Sequence, residues 1–213
     1  MGLKEILRNV WNFLWKSNSV WSWIADIVLI FLIVKFVIFP LFSLLLSTKL
    51  PFVIIESGSM EHKIVSHYKG VMPNICGLTF PYKKNLEFDE YWNYCGSWYE
   101  KNNITKEEFR KWPFSNGLDK GDIIVVKGLK NHDYKKGDII IFVKEESSLP
   151  IIHRIVNVKV RNNKRYFSTK GDHNARQLSY EKEIREEQVI GKAWLRIPKL
   201  GWLKLFFVEI FKK

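Results

Sequence analysis

Ile151-Ile152-His153-Arg154-Ile155-Val156-Asn157-Val158-Lys159-Val160 carries β-branched residues at six of ten positions, the composition of a strand rather than a helix. Strand alternation places His153 on one face with Ile151 and Ile155, and Arg154 on the other with Ile152 and Val156. Shorter runs of the same kind occur at Phe52–Ile55, Ile123–Val126, Ile139–Val143, Tyr166–Thr169 and Val189–Trp194, each bounded by Gly, Asp, Asn or Lys. The chain beyond residue 49 is therefore expected to be mainly β. At about 165 residues it fits one domain.

Upstream, Ile27 to Leu46 is a run of twenty residues with one charge, Lys35. That is long enough to cross a hydrocarbon core of about 30 Å as a helix. It exceeds the apolar core of a cleaved leader and ends Ser47-Thr48-Lys49-Leu50-Pro51 without a small-residue cleavage site, so it reads as an uncleaved anchor. Lys4, Arg8 and Lys16 precede it against Glu5, which places the N-terminus in the cytoplasm and the rest outside. Pro40 is a kink position. Lys35 reads more simply as a snorkelling side chain than as a partner or functional site. Leu3 to Trp15 has the apolar spacing of an amphipathic helix on the inner surface. Leu203, Phe206, Phe207, Ile210 and Phe211 repeat that pattern in a segment too short to span, either an interfacial foot or a helix packed on its own domain. The expected organisation is a cytoplasmic segment 1–19, an anchor 20–48 and an external domain 49–213, with an insertion at 65–118 and a membrane-proximal C-terminal helix at 200–213.

The formal net charge of +12 comes without a phosphate loop, zinc spacing or RNA-binding aromatic signature, so nucleic acid and metal are not expected. Anionic headgroups account for it more simply. Cys76 and Cys95 both lie in the external part, where a disulfide can form; two free thiols are the alternative. Asn103-Ile104-Thr105 is a glycosylation sequon. The stretch from Met60 to Gly121 is aromatic, poorly periodic and holds both cysteines, and it reads as an inserted subdomain or cap with a helix near Lys106–Trp112.

Lys-Gly-Asp occurs at 120–122, 136–138 and 170–172. The first two run into Ile-Ile and read as turns that launch strands. The third follows a strand and opens a polar loop, His173-Asn174-Ala175-Arg176, a better place for a functional carboxylate. Ser59, in Ser57-Gly58-Ser59-Met60 just beyond the anchor, is a candidate nucleophile. A serine needs a base to take its proton, and His153, alone among five histidines, is embedded in a strand. Ser59, His153 and Asp172 thus supply nucleophile, base and acid in that order, and such a set is recognised by role rather than sequence position.

Ser-Gly-Ser-Met after an anchor, two Gly-Asp-Ile-Ile strands, Ile-His-Arg-Ile-Val and Lys-Gly-Asp-His-Asn form an ordered series. This series resembles the type I signal peptidases, in the archaeal and endoplasmic-reticulum branch, over most of the chain from the anchor to Leu203. Bacterial relatives commonly carry lysine in the box that here holds His153. The resemblance implies an antiparallel β-sheet catalytic domain of signal-peptidase type and a serine endopeptidase needing no cofactor. Ser59 would be the nucleophile, His153 the base and then the acid, and Asp172 the orienting acid. The Ser59 amide, helped by the Ser57 hydroxyl, would form the oxyanion site. Its substrates would be signal-peptide-bearing precursors, its setting an archaeal cell membrane, and accessory membrane subunits would be its partners. Three positions depart from the family pattern: His62 stands where proline is common, His173 where asparagine is usual, and Leu178 where a second aspartate often occurs. The competing readings are a silent homologue or accessory subunit, and a bitopic receptor using the aromatic insertion.

Overall fold

The computed structural model describes residues 2–67, 69–129, 131, 133–144 and 149–211, with side chains to 206. His132, Lys212, Lys213 and the side chains of Phe207, Ile210 and Phe211 fall outside it. The chain forms two compact units, divided after Leu45.

In the first unit, α1 (Leu3–Lys16) is followed by α2 (Val20–Ile33), a five-residue π-helical turn (Val34–Ile38) and α3 (Phe39–Leu45). Ser19 caps α2 by accepting from the Ser22 amide, and the Ser22 hydroxyl donates to Phe13 O of α1 at 2.6 Å. Val20–Leu45, 26 residues, is long and apolar enough to cross a membrane. It starts seven residues before the apolar run read from sequence, because Trp21, Ser22 and Trp23 continue the helix. The π turn ends just before Pro40, where an ordinary turn would set the proline ring against the carbonyl four residues back. Lys35 lies 5.3 Å from the centre of the Phe36 ring and 5.8 Å from that of Phe31.

The second unit is mainly antiparallel β. Seven strands, β1 (Phe52–Ile54), β2 (Ile123–Lys127), β3 (Ile139–Phe142), β4 (Ile151–Arg161), β5 (Lys164–Lys170), β6 (Ile184–Arg185) and β7 (Val189–Ile197), form one sheet in the order β1-β2-β7-β3-β4-β5-β6. All six runs read from the sequence are strands, while the two-residue β6 is too short to leave a pattern. Asp122 and Asp138 close the turns before β2 and β3 by accepting from the amides of Asp119 and Lys135, which is the strand-launching role expected of the first two Lys-Gly-Asp boxes. Alternation along β4 sends Ile155 into a cluster with Ile140, Phe142 and Phe167, and Ile152 towards a second with Ile139 and Ile141. A bulge between Ile155 and Asn157 then shifts the register with β5.

The insertion is ordered rather than irregular. It holds α4 (Phe88–Glu100), α5 (Lys106–Arg110) and a Cys76–Cys95 disulfide, around a core of Tyr91, Trp92, Tyr99, Ile104 and Phe109. Thr105 caps α5 by accepting from the Glu108 amide. Helix α6 (Trp202–Phe211) buries Leu205 and exposes Leu203 and Phe206, so packing on the domain and an outward apolar face coexist.

Candidate active site

Three segments meet around Ser59. After β1, Ile55 exchanges backbone hydrogen bonds with the Gly121-Asp122 turn, and the chain reverses through a turn closed by the Glu61 amide on Gly58 O. That turn presents Ser59 to β4, where His153 Nε2 lies 3.0 Å from Ser59 Oγ, within reach for direct proton transfer. The third segment is the loop after β5: the His173 amide donates to Ser59 O at 2.9 Å and pins the carbonyl of Ser59 itself. Gly171 in this loop has to be glycine. A Cβ there would stand 2.8 Å from His153 Nε2 and 2.9 Å from Ser59 O. The Ser57 hydroxyl is 3.2 Å from Ser59 Oγ, on the solvent side.

The pair opens onto a groove of about 580 Å³ whose walls include Phe52, Ile54, Ile152, His153 and Tyr180. β1 is an edge strand there, so its outer backbone groups can pair with an extended peptide.

Asp172 is not beside His153. Its carboxylate points to the opposite face of β4, where it accepts from Arg154 Nε at 3.0 Å and Nη2 at 2.7 Å, from Tyr99 Oη at 3.2 Å and from His62 Nε2 at 3.2 Å. The expectation that Asp172 orients the imidazole is therefore not met by the geometry, because His153 and Arg154 are adjacent in a strand and project oppositely. Burial raises the Asp172 pKa, but the Arg154 guanidinium and the hydrogen bonds from His62 and Arg154 outweigh it and hold the carboxyl well below the usual range. Burial depresses His62 against the pull of Asp172. It also pulls Lys170 down to about 8 and His173 to about 4.

The acid against His153 is Glu181, which the sequence reading missed. Its Oε1 lies 2.5 Å from His153 Nδ1, and both side chains are buried. The approach is a close contact rather than an aligned hydrogen bond, and neither atom has a hydrogen-bond partner among the described residues. Glu181 ends a 3₁₀ turn over Ser179–Glu181, within a stretch that also contains Glu183, Glu186 and Glu187, so no pattern singles it out. The one available signal is its place three residues after Leu178, where the family pattern often has its second aspartate.

The aromatic insertion reaches this site from behind. Tyr91 Oη donates to Asp172 O at 2.9 Å and stacks on the His62 ring, with 3.5 Å between centroids. The Cys76 amide donates to His173 O at 2.9 Å. Pro113 O and Phe114 O accept from the Arg154 guanidinium, which lies over Phe109. A group of three or more His, Cys, Asp or Glu fit to hold a metal ion is absent among the described residues.

No protein-family model matches the chain. It is similar to signal peptidase complex catalytic subunits from fungi. That of Eremothecium gossypii is 30% identical over 99 residues, 42% of this chain and 58% of that protein. That of Zygosaccharomyces rouxii is 30% identical over 97 residues and that of Candida tropicalis 31% over 96, covering 58% and 57% of those proteins. The chain thus spans under two thirds of the length of the relatives it matches, and over that part it is a homologue of signal peptidase catalytic subunits.

Proposed function

We propose that the protein is a membrane-anchored serine endopeptidase that removes signal peptides from precursor proteins. The observation that carries this reading is the 3.0 Å approach of His153 Nε2 to Ser59 Oγ on the wall of an apolar groove, in a chain homologous to signal peptidase catalytic subunits.

In the reaction, Ser59 Oγ attacks the scissile carbonyl carbon as His153 Nε2 takes its proton. The tetrahedral oxyanion is held by the Ser59 amide and the Ser57 hydroxyl; one such donor is worth about 3 to 4 kcal/mol. Collapse breaks the C–N bond, and His153 returns the proton to the leaving amine, which becomes the mature protein's N-terminus. The signal peptide remains as an ester on Ser59. Water, deprotonated by His153, then hydrolyses the ester and restores the serine.

A signal peptide lying extended along the β1 edge would run beside the groove wall formed by Phe52 and Ile54. The short sequence between Leu45 and Ser59 limits how far the nucleophile can lie from the bilayer, which raises the effective concentration of a membrane-delivered cleavage site. The basic N-terminal flank favours a cytoplasmic N-terminus with the second unit on the opposite side. The relatives are fungal proteins whose names place them in a signal peptidase complex. They carry nothing for an archaeal cell membrane, and the location proposed is any membrane through which precursors are exported, with accessory membrane subunits as partners.

The test is cleavage of a signal-peptide precursor by the full chain in liposomes. Ser59→Ala and His153→Ala should each lower kcat by at least about 10³-fold with the protein still folded. Equal rates in wild type and Ser59→Ala would sink the reading.

A further inference from the structure

We propose that Glu181 is the acid that positions His153, and that Asp172 is a structural anchor on the other face of the strand. This rests on the Ser59–His153 reading above and deepens it.

A base in a nucleophile–base pair works only if its second nitrogen carries the proton and its ring is held in place. The atom at that second nitrogen is Glu181 Oε1, 2.5 Å from His153 Nδ1, and neither has a hydrogen-bond partner among the described residues. The other oxygen of the same carboxylate accepts from the Leu178 amide at 2.6 Å, so the group is held from both sides. Asp172 does not serve His153, because Arg154, Tyr99 and the imidazole of His62 occupy both its oxygens on the other face of the strand.

The local fold explains how an acid at 181 reaches the site. In a 3₁₀ turn, residues three apart eclipse one another. Leu178 is the residue before the first position of the turn and Glu181 its last, so the carboxylate at 181 swings back over 178. Leu178 itself lines the groove, where an apolar side chain can meet substrate. The charged groups around Glu181 are His153, and Lys170, whose ammonium is held by Gly171 O and packs over Trp98 and Tyr99. Removing the Glu181 charge leaves the imidazolium formed during reaction without its counter-ion.

The experiment measures kcat and KM of the full chain in liposomes with a signal-peptide precursor. It compares wild type, Glu181→Gln, Glu181→Asp, Asp172→Asn and the exposed control Glu183→Gln. Glu181→Gln should lower kcat roughly 10²- to 10⁴-fold with KM little changed. Glu181→Asp should recover part of the rate, and Glu183→Gln should match wild type. Proton NMR of the ¹⁵N-histidine-labelled chain in micelles supplies a readout independent of turnover: an Nδ1–H resonance of His153 that disappears in Glu181→Gln and persists in Asp172→Asn. Retention of that resonance and of kcat within about threefold in Glu181→Gln would overturn the proposal, as would its loss in Asp172→Asn alone. If wild type and Ser59→Ala cleave alike while the resonance still depends on Glu181, the peptidase reading fails and the positioning contact stands.

Discussion

At the residue scale, the proposed nucleophile and base are legible in the sequence because each sits in a context with few rivals: a Ser-Gly-Ser turn beyond an apolar span, and one histidine inside a strand. The acid is not legible. Asp172 occupies the expected box, but its neighbour across β4 and β5 is Arg154, and a buried guanidinium claims a buried carboxylate more strongly than an imidazole does. Gly171 offers a test of how tightly the three segments converge. Gly171→Ala would push a methyl group against His153 Nε2, Ser59 O and Asn174 Nδ2, and displacement of the pair by a fraction of an ångström should cut kcat by about 10²-fold. Steady-state kinetics with a fluorescent precursor checks this, and wild-type turnover in Gly171→Ala would show the convergence is looser than described. His173 and His62 set an acid limit on stability. Burial holds both below the ordinary histidine value, His173 at about 4, so the unfolded chain binds protons that the native chain refuses. The stabilisation from His173 is complete above about pH 6.5 and is lost as pH falls from there towards 4, and that from His62 is lost in the same direction. His173 alone should remove roughly 2 kcal/mol by pH 5 relative to neutral pH. Urea unfolding followed by tryptophan fluorescence at pH 7.5 and pH 5 measures it, and an unchanged midpoint would contradict the burial.

At the element scale, the insertion is where sequence reading falls shortest. Phe88, Tyr91, Trp92, Cys95, Gly96 and Tyr99 form a helical stripe, and all are buried in α4. Tyr94 and Trp98 blur that stripe by adding aromatics to adjacent positions, and Gly96 is kept only because a Cβ would meet the Trp92 indole at 2.5 Å. The strands, in contrast, are short β-branched runs between turn residues and need no long-range information to be seen. The insertion also bears on the proposed Ser59–His153 pair. From the Cys76–Cys95 disulfide, the Cys76 amide holds His173 O, and the His173 amide holds Ser59 O. Opening the disulfide with dithiothreitol, or replacing both cysteines with serine, should cost about 3 kcal/mol for a sequence separation of 19. Turnover should fall well before the fold is lost, because the relaxed segment is the one that braces the nucleophile. Parallel measurement of turnover and tryptophan fluorescence under reductant separates the two; activity that tracks only the unfolded fraction would show that the brace carries no catalytic weight.

At the scale of the whole molecule, the chain joins an apolar helix of 26 residues to a β domain whose groove contains a serine and a histidine in contact. The membrane unit is readable from apolar length alone, and the β class from short alternating runs. Pro40 marks the place of the π turn in the sequence, whereas which residue of α6 packs inward, Leu205, depends on packing that no linear pattern carries. The formal charge of +12 suits a protein that works beside anionic headgroups, in keeping with the proposed site of action. The central claim is that this groove cuts membrane-delivered precursors through Ser59. Its most direct test is mass-spectrometric mapping of new N-termini after incubating a signal-peptide precursor with the liposome-reconstituted full chain and with Ser59→Ala. The account predicts one new N-terminus, following a small residue just beyond the apolar stretch of the signal, in wild type only. No new N-terminus from folded wild type, or the same one from Ser59→Ala, would contradict it.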